Sequence, residues 1–210
     1  MVDITSVVET NGAPIRSYHI EIDNGLGGPF VELQGFSANS LALQATKTLG
    51  VYPGLYYRFR YRAKNAIGWG EHSEISYVLS ARTPDTPVPP TITLWMDTNI
   101  RIVFYLPFNG GSEISKAYIQ IKTHDGLSYA EETVNCDGTN FAIFQSRQCI
   151  IPLNLLRAPV WSLVQGDSIM ARVKFENEIG QSLFSGDTVV PVLMPYVPHQ
   201  PSNGPRRINA

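Results

Sequence analysis

The sequence predicts an all-β chain folded as two β-sandwich domains in tandem. Three observations carry the prediction: a low-charge composition rich in turn residues, apolar residues at every second position, and a chain that repeats itself. The 210 residues leave room for two domains of about 100 residues each. Hydrophobic residues make up 43% of the chain, enough for two cores, and charged residues only 16%, against roughly 25% in an average globular protein. Seventeen Gly and fifteen Pro punctuate the chain into short strands.

Laying the chain on itself exposes the repeat. Asn65-Ala66-Ile67-Gly68 recurs as Asn177-Glu178-Ile179-Gly180, an offset of 112 that Gly54 and Gly166 share. Each block follows an alternating stretch. Tyr57, Phe59, Tyr61 and Ala63 lead into the first, and Ile169, Ala171, Val173 and Phe175 into the second. Such alternation marks a strand with one buried face. An earlier pair, Asn11-Gly12 and Asn109-Gly110, matches at an offset of 98. The second copy is therefore about 14 residues longer between these landmarks, and the extra length falls around Cys136 to Cys149.

The stretch Pro53-Gly54-Leu55-Tyr56-Tyr57-Arg58-Phe59-Arg60-Tyr61-Arg62-Ala63-Lys64-Asn65-Ala66-Ile67-Gly68-Trp69-Gly70, followed by Ser73, resembles the F-strand and FG-loop signature of fibronectin type III domains. The resemblance implies two Ig-like Greek-key β-sandwiches. It places Tyr57 at the tyrosine corner, where a buried ring ties down the preceding turn through its hydroxyl. Ile169 takes that position in the second copy and cannot make the bond. The Cys136-Asp137-Gly138 and Cys149-Ile150-Ile151-Pro152 segments resemble a cysteine-bearing variant from repeat arrays of large surface proteins of ciliated protists.

Strands are expected near 2–8, 15–22, 29–34, 40–46, 55–64 and 73–81 in the first domain. In the second they are expected near 90–95, 99–106, 115–122, 127–134, 148–153, 167–176 and 184–193, with a helical turn within 152–159. Ile20, Ile22, Ile119 and Ile121 should face inward. The first domain spans 1–83 and lacks its own opening strand. The second, complete and carrying the cysteine-bearing insertion, spans 84–194. The linker Thr83 to Pro90 holds four prolines in its last seven residues, a semi-rigid spacer. Residues 195–210 repeat that character and then supply a candidate strand, Ser202, Asn203, Gly204, Pro205, Arg206, Arg207 and Ile208, for the next domain or subunit. Two readings follow: a segment of a longer array, or a chain whose tail completes the sandwich of its neighbour by strand exchange.

Little in the sequence points to chemistry. A net charge of −2 argues against nucleic acid or an anionic membrane as partner. No phosphate loop, Gly-x-Ser-x-Gly or His-Glu-x-x-His motif occurs, and no catalytic residue, metal, cofactor or small-molecule substrate is expected. His19, His72, His124 and His199 read as scattered and solvated. Asp23, Asp125 and Asp137 read as turn residues, and Gly25 to Gly28 as a hairpin loop. Cys136 and Cys149 cannot alone complete a zinc site. They read either as a disulfide across a hairpin, which implies an oxidising compartment, or as buried free thiols.

Arg58, Arg60 and Arg62 alternate with the core residues and should point away from the core. There Trp69 would stack on their guanidiniums or serve as a binding surface; Trp95 is a further structural aromatic. No Asn-x-Ser/Thr sequon occurs, while Thr83, Thr86 and Ser202 beside prolines are candidates for O-linked sugars. No apolar run spans a bilayer, and Met1 to Thr5 does not read as a signal peptide. That leaves a cytosolic chain or a start within a longer protein. The favoured function is a structural or adhesive segment of an extracellular, repeat-built protein, with neighbouring copies or domains as partners and head-to-tail fibre formation as its assembly. A ligand-binding receptor ectodomain is the alternative.

Overall fold

The computed structural model describes residues 1–195. The chain divides into two compact units. The first holds Met1–Asp85 with two short segments, Phe108–Ile114 and Asn177–Gly180; the second holds Thr86–Pro107, Ser115–Glu176 and the chain from Gln181 onward.

In the first unit, β3 (Val31–Gln34), β2 (Ser17–Ile22), β5 (Tyr56–Lys64) and β6 (Ser76–Leu79) form one antiparallel sheet in that spatial order. Facing it, β1 (Val2–Asp3) pairs with β4 (Gln44–Ala45). Tyr18, Ile20, Ile22 and Tyr57 form the buried apolar layer. Every residue of β2 is buried, so its polar face is covered as well as its apolar one. The expected strands at 2–8 and 40–46 shrink to two residues each. Among the described residues β1 pairs with β4 alone, and a strand with one partner has little ladder to extend it.

In the second unit, β11 (Gln148–Pro152), β8 (Asn99–Val103) and β7 (Thr91–Trp95) form one sheet. The opposing sheet runs β10 (Tyr129–Glu131), β9 (Ile114–Lys122), β13 (Ala171–Asn177) and β14 (Gly180–Gln181). Strands β8 and β9 follow each other in sequence but lie in different sheets, which makes the unit a sandwich. Its core interdigitates Ile100, Ile102 and Phe104 with Ile119, Ile121, Val173 and Phe175, all fully buried. The Phe104 and Phe175 rings lie 6.0 Å apart. Ile169, where the first unit has Tyr57, is fully buried in β12 (Ser168–Ile169), which pairs with β15 (Val192–Leu193). The helical turn falls at Leu155–Arg157.

Two expectations need correcting. The segment at 184–193 is not a continuous strand; only Val192–Leu193 is, for a reason given below. The cysteine pair does not span a plain hairpin either. Cys136 and Cys149 are disulfide-bonded with Cα atoms 5.1 Å apart, but the chain between them holds a short helix, α1 (Phe141–Ser146). Asn140 caps it by accepting from the Ala142 N–H at 2.9 Å, and Arg147 ends it in the left-handed conformation. At the start of this loop the buried Glu132 carboxylate accepts from the backbone N–H groups of Val134, Asn135 and Cys136.

Gly35 ends β3 with φ +90°, and a Cβ there would lie on the Tyr18 carbonyl oxygen. Gly35→Ala should therefore destabilise the first unit by more than about 2 kcal/mol, since left-handed strain alone costs roughly 1–3 kcal/mol; denaturant titration reads the loss. Removing both Cys136 and Cys149 as alanines should cost about 3 kcal/mol, the value for closing a loop of this length. A melting temperature unchanged from that of the parent chain would contradict this.

Candidate functional site

The register between β2 and β5 sets the outer face of the first unit. It pairs Ile22 with Phe59, Glu21 with Arg60, Ile20 with Tyr61 and His19 with Arg62. Odd-numbered residues of β2 and even-numbered residues of β5 thus share the face away from the core. There each cation meets a buried polar partner. Arg58 Nε donates to Asp23 Oδ2 at 2.8 Å, Arg60 Nε to Glu21 Oε2 at 2.6 Å, and Arg62 Nε to His19 Nδ1 at 3.3 Å. Asp23, expected as a turn residue, is 1% exposed and also accepts from the backbone N–H groups of Gly25 and Arg58.

Aromatic rings cover the other side of these cations. Arg58 and Arg60 lie over Phe30 at 5.1 and 4.2 Å, and Arg62 lies over Phe36 and Trp69 at 5.7 and 5.0 Å. Trp69 therefore takes one arginine, not three, and adds Lys64 at 5.2 Å. His19 packs its ring against Phe36 and Trp69, with centroids 4.8 and 5.6 Å away. Each cation–π contact contributes about 0.5–2 kcal/mol. Together the rings and guanidiniums seal the acids and His19 from water. Burial pushes the Asp23 carboxyl up, but its bonds from the Arg58 backbone and side chain and from Gly25 outweigh that and hold it below its ordinary value. Burial likewise raises Glu21 and Arg60 more than offsets it. Burial lowers the His19 pKa against the pull of Glu21.

A second device, missed at the sequence level, routes the chain after β5. Gly70 N–H donates to Ala63 O, and Ser73 N–H to Tyr61 O. The Ser73 hydroxyl in turn accepts from Tyr61 N–H at 3.1 Å. In the second unit Ser182, Ser185 and Thr188 bond Phe175, Val173 and Ala171 through both backbone and hydroxyl. The two sets are related by the same offset of 112. Hooks at every third residue suit an extended polyproline-type path, not the two-residue period of a ladder. The hydroxyls satisfy the N–H groups that a neighbouring strand would otherwise take. This is why 184–193 is not a strand. The signal was present as Ser-x-x-Ser-x-x-Thr.

The repeated Asn-x-Ile-Gly also has a physical cause. Asn65 Oδ1 accepts from Ile67 and Gly68 N–H, and Asn177 Oδ1 from Ile179 and Gly180 N–H, which closes a tight turn. Tyr57 is buried, and its hydroxyl accepts from Tyr52 N–H at 2.9 Å and donates to Gly50 O at 3.4 Å. In the second unit Arg172 stacks on Tyr129 and Phe184 at 3.6 and 4.2 Å, and Lys174 on Tyr118 and Phe184 at 5.1 and 4.8 Å. Trp95 takes Arg101 at 4.6 Å. The candidate strand Ser202 to Ile208 lies outside the described residues.

The histidines correct the reading of scattered, solvated side chains. His19 is 4% exposed. His72 Nε2 lies 3.0 Å from Glu21 Oε2, and His19 Nε2 lies 3.9 Å from Glu21 Oε1. His124 pairs with Asp167 at 2.7 Å on the surface of the second unit, and His199 lies outside the described residues.

The two units are β-sandwiches, the first with a tyrosine corner, and the proteins they resemble carry fibronectin type III domains. No protein-family model matches the chain. Fibronectin type III domain containing protein 3C1 of Mus musculus is 35% identical over 83 residues, covering 39% of this chain and 6% of that protein. Fibronectin type-III domain-containing protein 3a of Gallus gallus is 28% identical over 89 residues, covering 40% and 7%. The matched stretches are thus a small fraction of both relatives. Among solved structures, the FN1–FN3 domains of chicken CNTN1 superpose with a TM-score of 0.41 at 17% identity, over 87% of this chain and 58% of that one. A crystallised stretch of titin domains gives 0.47 at 15%, over 83% and 53%.

Because the Asp23 pKa is depressed in the folded state, its contribution to stability is complete above the unfolded value near 3.9 and is lost as pH falls through the folded value. Asp23→Asn should lower stability at pH 7 by about 1–3 kcal/mol and lose less than the parent between pH 4 and pH 2. Urea midpoints across that range test this; parallel pH profiles for the two proteins would refute it.

Proposed function

We propose that the chain is a structural or adhesive, non-catalytic stretch of an extracellular, repeat-built protein whose sandwiches join end to end by strand complementation. The observation that carries this reading is the exposed side of the first unit. Among the described residues one edge of β1 has no strand beside it, whereas β8 of the second unit has β7, which buries Ile92. Beside β1 the sandwich opens into two clefts of about 260 and 300 Å³, lined by Val2, Ile20, Ile22, Phe59 and Val78 among others. An unpaired edge above an apolar cleft is what an added strand occupies. Ser202 to Ile208 of a neighbouring copy is the proposed occupant, and head-to-tail addition of this kind does not close on itself. The disulfide favours an oxidising compartment, and the resemblance of its segments to protist surface arrays fits the same reading.

The test is deletion of residues 195–210. Electron microscopy and sedimentation of the full chain should show head-to-tail assemblies, and the deleted chain should sediment as a soluble monomer. Fibres formed by the deleted chain would sink the proposal.

A further inference from the structure

We propose that His19, Glu21 and His72 form a binding site for a divalent transition-metal ion of the zinc class on the outer face of the first unit. The donor set is two imidazole nitrogens and a carboxylate, the combination zinc takes with a fourth position left to water. Their ligand atoms all lie within 4.8 Å of one another. His72 Nε2 lies 3.0 Å from Glu21 Oε2 and His19 Nε2 lies 3.9 Å from Glu21 Oε1, so each imidazole flanks the carboxylate at about the 3.3 Å ligand-to-ligand spacing of a tetrahedral site with ligands about 2 Å from its centre. The His19 side chain is 5% exposed, and its buried Nε2, which faces Glu21, lacks a hydrogen-bond partner. Buried polar atoms without partners are rare and call for an explanation.

The second unit supplies an independent argument. Arg60 and Arg172 occupy equivalent positions at the repeat offset of 112. Arg60 bonds Glu21, whereas Arg172 bonds Gln120. By the same correspondence Tyr118 stands for His19, and Phe184, 112 residues on, for His72. The same scaffold is thus built with Tyr, Gln and Phe, so it does not itself require ligating groups there. In the first unit all three positions carry them at once.

Two neighbours shape the site. Arg60 holds Glu21 through Oε2, which orients the carboxylate and leaves Oε1 for the ion. Arg62 donates to His19 Nδ1, which places the proton of the neutral ring on Nε2. Coordination through Nε2 shifts that proton to Nδ1, so Arg62 must swing aside. Burial lowers the His19 pKa, which is the direction that favours the neutral ring a metal requires.

Chelator-treated full chain titrated with zinc chloride at pH 7.5 by isothermal calorimetry should bind one ion per chain through this site. Cobalt in its place should give the intense visible absorption of four-coordinate geometry. His72→Phe and Glu21→Gln, each importing the residue of the second unit, should weaken binding about tenfold or more while circular dichroism stays unchanged. Arg62→Gln, whose carboxamide oxygen accepts from the shifted Nδ1 proton, should tighten binding severalfold. His124→Ala should have no effect. Absence of saturable binding, or equal affinity in the parent, His72→Phe and Glu21→Gln proteins, overturns the proposal. So does loss of binding on His124→Ala alone.

Discussion

The pairing of β2 with β5 is the constraint on which the first unit depends. A strand alternates its side chains with period two, so a slip of one residue would exchange its faces. In the observed register Ile20 and Ile22 enter the core, while His19, Glu21 and Asp23 meet Arg62, Arg60 and Arg58 on the other face. Slipping by one would bury three polar groups in the core without these partners, at several kcal/mol each. The acids and guanidiniums therefore specify the register as firmly as the isoleucines do. Exposed ion pairs have little value of this kind; these are different because Asp23 is fully covered and Phe30, Phe36 and Trp69 roof the cations.

That roof needs the chain after β5 to stay close without becoming a full strand. The hydroxyl hook at Ser73, and those at Ser182, Ser185 and Thr188 in the second unit, hold the returning segment to the backbone of the preceding strand. A period of three turns successive side chains to new directions. One of them, His72, is brought over Glu21, and the equivalent Phe184 lies over Arg172 and Lys174. A regular β-strand would have sent alternate side chains straight up and down instead.

Much of this was legible in the sequence, because repetition and alternation are local signals. The offset of 112 located both long strands and their Asn-x-Ile-Gly turns, and Tyr57 declared its corner through its position before the alternating arginines. What stayed hidden depended on contacts distant along the chain. His19 and His72 are 53 residues apart, and only the strand register and the Ser73 hook bring them together; neither can be read from either histidine. Helix α1 was hidden for the opposite reason. Six residues in a strand-rich chain give too short a period to recognise, and Asn140 as its cap looks like any loop asparagine. The edge strands β1 and β4 were overestimated because their apolar residues suggested longer pairing than one partner sustains.

The two copies of the ladder separate what the fold needs from what it permits. Both keep cations at two alternating positions of the long strand, Arg60 and Arg62 in the first and Arg172 and Lys174 in the second, and both keep aromatic rings stacked on them. Between these constants the residues change in kind: an acid against an amide, histidines against tyrosine and phenylalanine. The stacked cations hold the returning segment in either case, so the positions beneath them are free to take on chemistry without loss of the sandwich. That face, where the scaffold is over-determined, is where such a domain can vary its chemistry without risk to its fold.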